Sequence, residues 1–296
     1  MSNVVFSHFY SFDNLPDSML MPVFAEFRDN GVENLVFTDN MCKRILNDHL
    51  FFYKLKLACH RTGIKLQEMH APFGESYDLA CASSGRREGL VKDHITCMQY
   101  AADCGCLTYT LHMGAFDSAY LGTPNSEIRP RALSALEQLI PTAEKLGVVI
   151  ALENSFERSN TPDEAMYYVE AVNHPNVGSC LDVGHANVMA PAAWKTQEKF
   201  PAHMRNVWGG EVQFFENAFE RMASGIVTCH LHDNDGFSDQ HQLPGCGTVD
   251  WDDVISKLRN KAPRLLSIQS EVNTFASGVS IRRLCETFRK LFPDLA

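Results

Sequence analysis

Eight times along this chain, a short run rich in Val, Ile, Leu and Phe gives way to a longer stretch of helical periodicity. The apolar runs cover residues 3–9, 32–38, 64–70, 106–112, 148–153, 177–182, 226–232 and 265–271. The helical stretches between and after them cover 18–29, 48–61, 85–103, 126–145, 161–172, 211–223, 250–261 and 280–291. Gly31, Gly63, Gly105 and Gly147 follow four of these helices, where a left-handed C-cap is favoured. Strict alternation predicts a parallel sheet, and a count of eight predicts a closed (β/α)8 TIM barrel. A doubly wound open sheet would place a glycine-rich phosphate loop after the first strand. The chain has HFYSFDN there, and neither GxGxxG nor GxxxxGK[ST] occurs anywhere. With no linker or shift in composition, residues 1–296 read as one catalytic domain. Residues 185–210 exceed a normal βα loop and predict a lid or rim at one end.

Composition limits the partners. Of 296 residues, 45% are hydrophobic and 21% charged, which excludes intrinsic disorder. The formal charge of −10 argues against nucleic acid and against anionic membrane surfaces. No run of 18 apolar residues predicts a membrane span. The first residues, MSNVVFSHFYSFDN, lack the basic region of a signal peptide. Ten cysteines without such a signal read as reduced thiols, so the expected compartment is the cytoplasm. Cys104 and Cys106 flank a helix end and a strand start, and read as packing residues. A homo-oligomer is compatible with the sequence.

The chemistry lies at the strand ends. The third run ends at His70, the fourth at His112 and the fifth at Glu153. The sixth ends at Asp182, with His185 just beyond; the seventh ends in His230-Leu-His232 and the eighth at Glu271. In a barrel these ends form the C-terminal face, where active sites lie. Carboxylates and imidazoles converging there would be costly to desolvate unpaired, and a divalent cation resolves the conflict. Mixed ligation of this kind suits Mn²⁺, Zn²⁺, Fe²⁺, Co²⁺ or Mg²⁺. The minimal expected ligand set is Glu153, Asp182, His232 and Glu271. His70, His112, His185, His230, Asp239 and His241 are candidates for further metal ligation or for substrate contact. His230 shares the inward face with His232 by strand period and is equally compatible with a core or supporting role.

Four segments carry a family resemblance: MHAPFGESYDLA at 69–80, ALEN at 151–154, CLDVGHAN at 180–187 and HLHDNDGFSDQHQLPGCGTVDW at 230–251. They resemble the sugar-phosphate isomerase/epimerase family of xylose-isomerase-like barrels, over essentially the whole chain. The resemblance implies one divalent metal on Glu153, Asp182, His232 and Glu271, with the two glutamates moving the proton in ketose epimerases. The same superfamily contains endonuclease-IV-type DNA repair enzymes with three zinc ions. Their ligand positions resemble His70, His112, Glu153, Asp182, His185, His232, Asp239, His241 and Glu271. The flanks differ: APFG replaces a tyrosine-containing DNA-probing loop, DVGH replaces DTCH, and GFSDQH is shorter and lacks a lysine.

The expected function is therefore metal-dependent isomerisation or epimerisation of a sugar or polyol by proton abstraction beside a carbonyl. Glu153 and Glu271, at the ends of strands five and eight, are the expected acid/base pair. His185 and Glu157 are expected to bind substrate oxygens, with Phe73, Trp208 and Phe237 against a sugar face. No arginine or lysine in the 230–250 loop offers a phosphate clamp, which favours an unphosphorylated sugar. A dehydratase or other β-eliminating lyase shares the first step. An abasic-site phosphodiesterase is the alternative of a different class, and a noncatalytic sugar-binding module is a third.

Overall fold

In a computed structural model, which describes residues 3–13, 15–114 and 116–295, all eight parallel strands close into one barrel. They are β1 (Val5–His8), β2 (Asn34–Phe37), β3 (Lys65–His70), β4 (Thr108–Leu111), β5 (Val149–Glu153), β6 (Val177–Asp182), β7 (Ile226–Leu231) and β8 (Ser267–Ser270). Closure pairs β1 with β8, from Val5 opposite Ser267 to His8 opposite Ser270.

The helices are α1 (Leu20–Asp29), α2 (Asp39–Asn47), α3 (Leu50–Thr62), α4 (Ser84–Cys104), α5 (Phe116–Leu121), α6 (Asn125–Leu146) and α7 (Pro162–Val172). After them come α8 (Val183–Met189), α9 (Ala202–Trp208), α10 (Ala218–Met222), α11 (Trp251–Lys261), α12 (Thr274–Ser277) and α13 (Ile281–Leu291). Gly63 and Gly105 end α3 and α4 at φ 75° and 86°, where a Cβ would be strained. No helix among the described residues is long and apolar enough to cross a membrane.

Several elements differ from the sequence expectation: α5 and α12 were not foreseen, and β4, β7 and β8 each stop one residue short of the expected end. The stretch between β2 and β3 holds two helices, because Thr38 caps a separate α2 by accepting from Met41 N. The helix expected over 211–223 shrinks to α10, since Asn217 enters it from a left-handed conformation. The long segment after β6 carries α8 and α9 and builds its own small core. In that core Val188, Met189, Phe200, Met204 and Val212 are buried against Phe156, Trp208 and Phe237. Lys195 fastens it, with Nζ donating to the carbonyls of Asn187, Val188 and Ala190 at the end of α8 (2.6, 3.0 and 2.7 Å).

The main apolar core is distinct from the barrel interior, which holds a polar layer beside a small apolar cluster of Ala151, Cys180 and Val227. Glu68 Oε1 accepts from Thr228 Oγ1 (2.5 Å) and Ser267 Oγ (2.6 Å), bonds that cross the lumen because β3 adjoins neither β7 nor β8. Burial raises the Glu68 pKa despite these donors. Most TIM barrels fill this space with branched apolar layers. Here a polar layer lies beneath the C-terminal face of the barrel.

Two histidines on the outer side of the sheet stay neutral. His8 packs on Phe6, Phe27 and Phe288, and burial together with the charge of Arg289 lowers its pKa to about 3. His94 faces Tyr109 Oη at 2.7 Å, and burial lowers its pKa to about 4. The unfolded chain binds protons at both near pH 6.5 while the folded chain does not. Stability is therefore lost as pH falls from about 6.5 towards 4, with a limiting slope of about 1.4 kcal/mol per pH unit for each histidine. Urea unfolding of the His94→Gln variant is expected to show a shallower pH dependence over that window; an unchanged slope contradicts the assignment.

Candidate functional site

Four strand ends deliver Glu153, Asp182, His230 and Glu271 to one point, with one ligand-type atom of each within 4.8 Å of the others. His230 Nδ1 lies 3.1 Å from Glu153 Oε1 and 3.0 Å from Glu271 Oε2. Glu153 Oε2 also meets His112 Nε2 at 3.0 Å and His70 Nε2 at 3.2 Å. The four are nearly inaccessible: His230 and Asp182 are 0% exposed, Glu153 2% and Glu271 8%. Glu153 Oε2, Asp182 Oδ2 and Glu271 Oε2 have no hydrogen-bond donor in good geometry. Three such carboxylates gathered at the base of a cavity are a donor set suited to a divalent cation.

A second cluster adjoins the first. His185, His232, Asp239 and His241 each bring a ligand atom within 4.8 Å of the others. Asp239 Oδ2 lies 3.3 Å from His185 Nε2 and 3.2 Å from His241 Nε2. Asp182 bridges the clusters, its Oδ1 3.2 Å from His232 Nε2. The same carboxylate caps α8 by accepting from His185 N (2.5 Å), which sets His185 on the first turn.

The expected foursome of residues 153, 182, 232 and 271 therefore gathers with one change: His230, not His232, stands among the three carboxylates. Strand β7 ends at Leu231, so the period-2 rule holds for Thr228 and His230 and lapses at His232. Beyond the strand the His232 ring stacks on His241, centroids 3.8 Å apart and 15° from parallel. It also fills the space beside Gly184, where a Cβ would come within 1.9 Å of its Cε1. The Gly of DVGH is the residue that admits the second His of HLH.

The loop from 233 to 251 hangs on a carboxylate that sequence reasoning passed over. Asp233 Oδ1 accepts from Asn234 N (2.9 Å) and Val249 N (3.1 Å), and its Oδ2 from Gly245 N (2.8 Å) and Trp251 Nε1 (3.0 Å). The only sequence signal was its place beside HLH. Asp233→Ala leaves two buried donors, Asn234 N and Trp251 Nε1, unpaired and frees two at the loop's edge, with an expected loss of about 3–5 kcal/mol in urea unfolding. A loss under about 1 kcal/mol contradicts the anchoring role.

Above the clusters opens a cavity of about 550 Å³ whose lining includes His70, His112, Glu153, His185, Asp239 and Glu271. Glu157 and Phe73 also line it. Glu157 Oε2 is buried without a partner, and burial raises this carboxyl's pKa. Phe73 stacks on His112, centroids 5.3 Å apart. Trp208 and Phe237 are not on the wall. Trp208 Nε1 donates to the Phe156 carbonyl (3.0 Å), and Phe237 packs on Trp194 and Phe200, so both belong to the small core. Cys180, two residues before Asp182, lies close beneath Glu153 and His230, and burial holds it as a neutral thiol.

The cluster imidazoles hold protons well. Burial opposes the charge, but Asp239 outweighs it and raises the His241 pKa to about 9. Asp182 and Asp239 likewise raise His185 well above the usual histidine range. Glu271 and Glu153 do the same for His230.

Residues 38–290 match the profile of the xylose isomerase-like TIM barrel family, and the chain belongs to it. A protein of Methanocaldococcus jannaschii named as uncharacterized is 28% identical over 138 residues, 45% of this chain and 40% of that protein's length. Two solved structures share the fold. A D-tagatose 3-epimerase-like protein is 19% identical with a TM-score of 0.72, covering 98% of this chain and 97% of its own. The IOLI protein, solved with a bound zinc atom, is 17% identical with a TM-score of 0.65, covering 97% of each chain.

Proposed function

We propose that this protein is a divalent-metal-dependent isomerase or epimerase of a sugar or sugar-like polyol. The observation that carries the reading is the meeting of Glu153, Asp182, His230 and Glu271 beneath a cavity of sugar size or larger. The epimerase-like neighbour supports a carbohydrate substrate, and the zinc atom in IOLI supports a bound cation.

The orphaned carboxylate oxygens fit a cation, which Glu153, Asp182, His230 and Glu271 would hold. When bound, it supplies Lewis-acid polarisation of the substrate carbonyl. Glu153, at the end of β5, and Glu271, just past β8, flank His230 and act as the acid/base pair: one, as carboxylate, takes a proton from the carbon beside the carbonyl, and the other, starting protonated, gives its own proton to the opposite face of that carbon. His185 and Glu157 orient substrate hydroxyls. Phe73 covers His112 and excludes water. In deuterated water with Mn²⁺, Co²⁺ or Zn²⁺, ketohexoses are expected to gain deuterium beside the carbonyl. Failure of every ketose tested to exchange contradicts this function. Departure of a hydroxyl after the same proton step makes the enzyme a dehydratase, and product analysis distinguishes the two.

A second reading has a specific observation behind it. The ligand-type residues also form a His70–His112–Glu153 group beside the two clusters described, enough for up to three zinc ions. That would suit a phosphodiesterase acting on abasic DNA, against which stand the net charge of −10 and the acidic walls of the cavity. Nicking of abasic duplex with about three zinc per chain favours it.

Protons and cations compete for the same imidazoles. Because the Glu271 and Glu153 carboxylates hold the His230 proton well above the usual histidine range, cation affinity at the Glu153–Asp182–His230–Glu271 centre is expected to rise as pH rises from neutral into the alkaline range, with proton release on binding. Calorimetry in two buffers of different ionisation heat measures the release. A binding heat independent of the buffer contradicts it.

A further inference from the structure

Proton transfer needs only the floor of the cavity, and the cavity extends well past it. Its outer part is built from the loops after β1, β2 and β3: Phe9, Ser11 and Asp13, then Asp39, then Glu75 and Tyr77. None of the described lining residues falls between 188 and 215, and Gly114, Tyr120, Ser155 and Phe156 complete the wall on the β4 and β5 side. A volume of about 550 Å³ holds roughly 18 water molecules at ~30 Å³ each. A ketohexose, with a dozen non-hydrogen atoms, leaves much of it empty. Sites of this size accommodate larger organic molecules.

The walls also carry a sign. Among the described residues that line the cavity, no lysine or arginine occurs, and Asp13, Asp39, Glu75 and Glu157 stand outside the central clusters. Nearby cations are partnered, Lys43 at the cavity's edge over the Phe73 and Tyr77 rings (4.9 and 5.8 Å). Lys43 Nζ lies 2.7 Å from Asp39 Oδ2, Arg86 Nη2 donates to the Glu75 carbonyl (2.9 Å), and Lys195 is held by three carbonyls. A phosphate or carboxylate in the outer part would meet Asp13 and Glu75 and find no lysine or arginine on the wall to clamp it. Hydroxyl groups, by contrast, find acceptors, above all the unpartnered Glu157 Oε2.

We infer that the substrate is an uncharged glycoside. Its keto-sugar ring sits on the floor at Glu153 and Glu271, and its second ring or aglycone lies among Phe9, Ser11 and Tyr77. The inference rests on the isomerase reading above and adds the chemical class of the substrate. The outer ring touches no reacting atom, so its binding energy serves to orient the inner one.

The test compares three compounds in deuterated water: a free ketohexose, its phosphate ester and a neutral keto-disaccharide. The disaccharide is expected to exchange with kcat/KM about tenfold above the free sugar and more than about a hundredfold above the phosphate. Equal rates for disaccharide and free sugar, or preference for the phosphate, overturn the inference while leaving the isomerase reading intact. If nothing exchanges, the isomerase reading fails, and saturation-transfer NMR on the same compounds decides the binding class separately. Preferential binding of the disaccharide then supports the inference, and its absence overturns it. Ser11→Trp, which fills the outer compartment, is expected to lower the disaccharide-to-monosaccharide ratio of kcat/KM by about tenfold. An unchanged ratio overturns the placement of the second ring.

Discussion

Glu153→Gln and Glu271→Gln are each expected to lower deuterium exchange into substrate by about a thousandfold or more, at the upper end of what general acid–base groups contribute. The amide keeps the shape of the side chain and removes its capacity to carry a proton. Each substitution also withdraws a carboxylate that faces His230, at 3.1 Å for Glu153 and 3.0 Å for Glu271. Loss of activity therefore has two sources, and they separate experimentally. A proton-transfer role lowers exchange in protein saturated with cation, whereas a purely ligating role is repaired by raising the cation concentration. Full exchange by either variant under saturation removes that residue from the acid/base pair.

The second large effect distinguishes two histidines only two positions apart. His230→Gln is expected to weaken the binding of the first cation by more than about a hundredfold, beyond the usual cost of a supporting group. His232→Gln touches the same centre only through Asp182, at 3.2 Å, and is expected to cost about tenfold. Gly184→Ala tests the same arrangement from the other side. A methyl group there occupies the space of the His232 ring, and it is expected to disturb the second cluster while the first keeps its cation. Equilibrium dialysis with Mn²⁺ measures all three variants. The reverse order, with His232→Gln the more damaging, restores His232 to the ligand set expected from the sequence and its family resemblance.

The barrel was readable because its signal is redundant. Eight apolar runs, each followed by a helical stretch, leave few topologies open, and the residues at strand ends fall where a barrel concentrates its chemistry. Glu153 and Asp182 end their strands as read, and Glu271 follows β8 by one residue. The choice between His230 and His232 was not readable, because both satisfy period 2 and the difference depends on where β7 stops. Trp208 and Phe237 looked like sugar platforms because aromatic residues near a site serve either substrate or packing. Only the small core, which needs residues 188–215 folded together, decides between them. Asp233 was invisible for another reason: its four donors come from positions 234 to 251, and no local pattern brings them to one carboxylate.

Crystals soaked in Mn²⁺ and measured by anomalous scattering provide the sharpest check on the whole scheme. A peak is expected within coordination distance of the side chains of Glu153, Asp182, His230 and Glu271 at once. Manganese bound solely beside His185 and His241, or no ordered ion under saturating Mn²⁺, contradicts the proposed centre and the proton chemistry built on it.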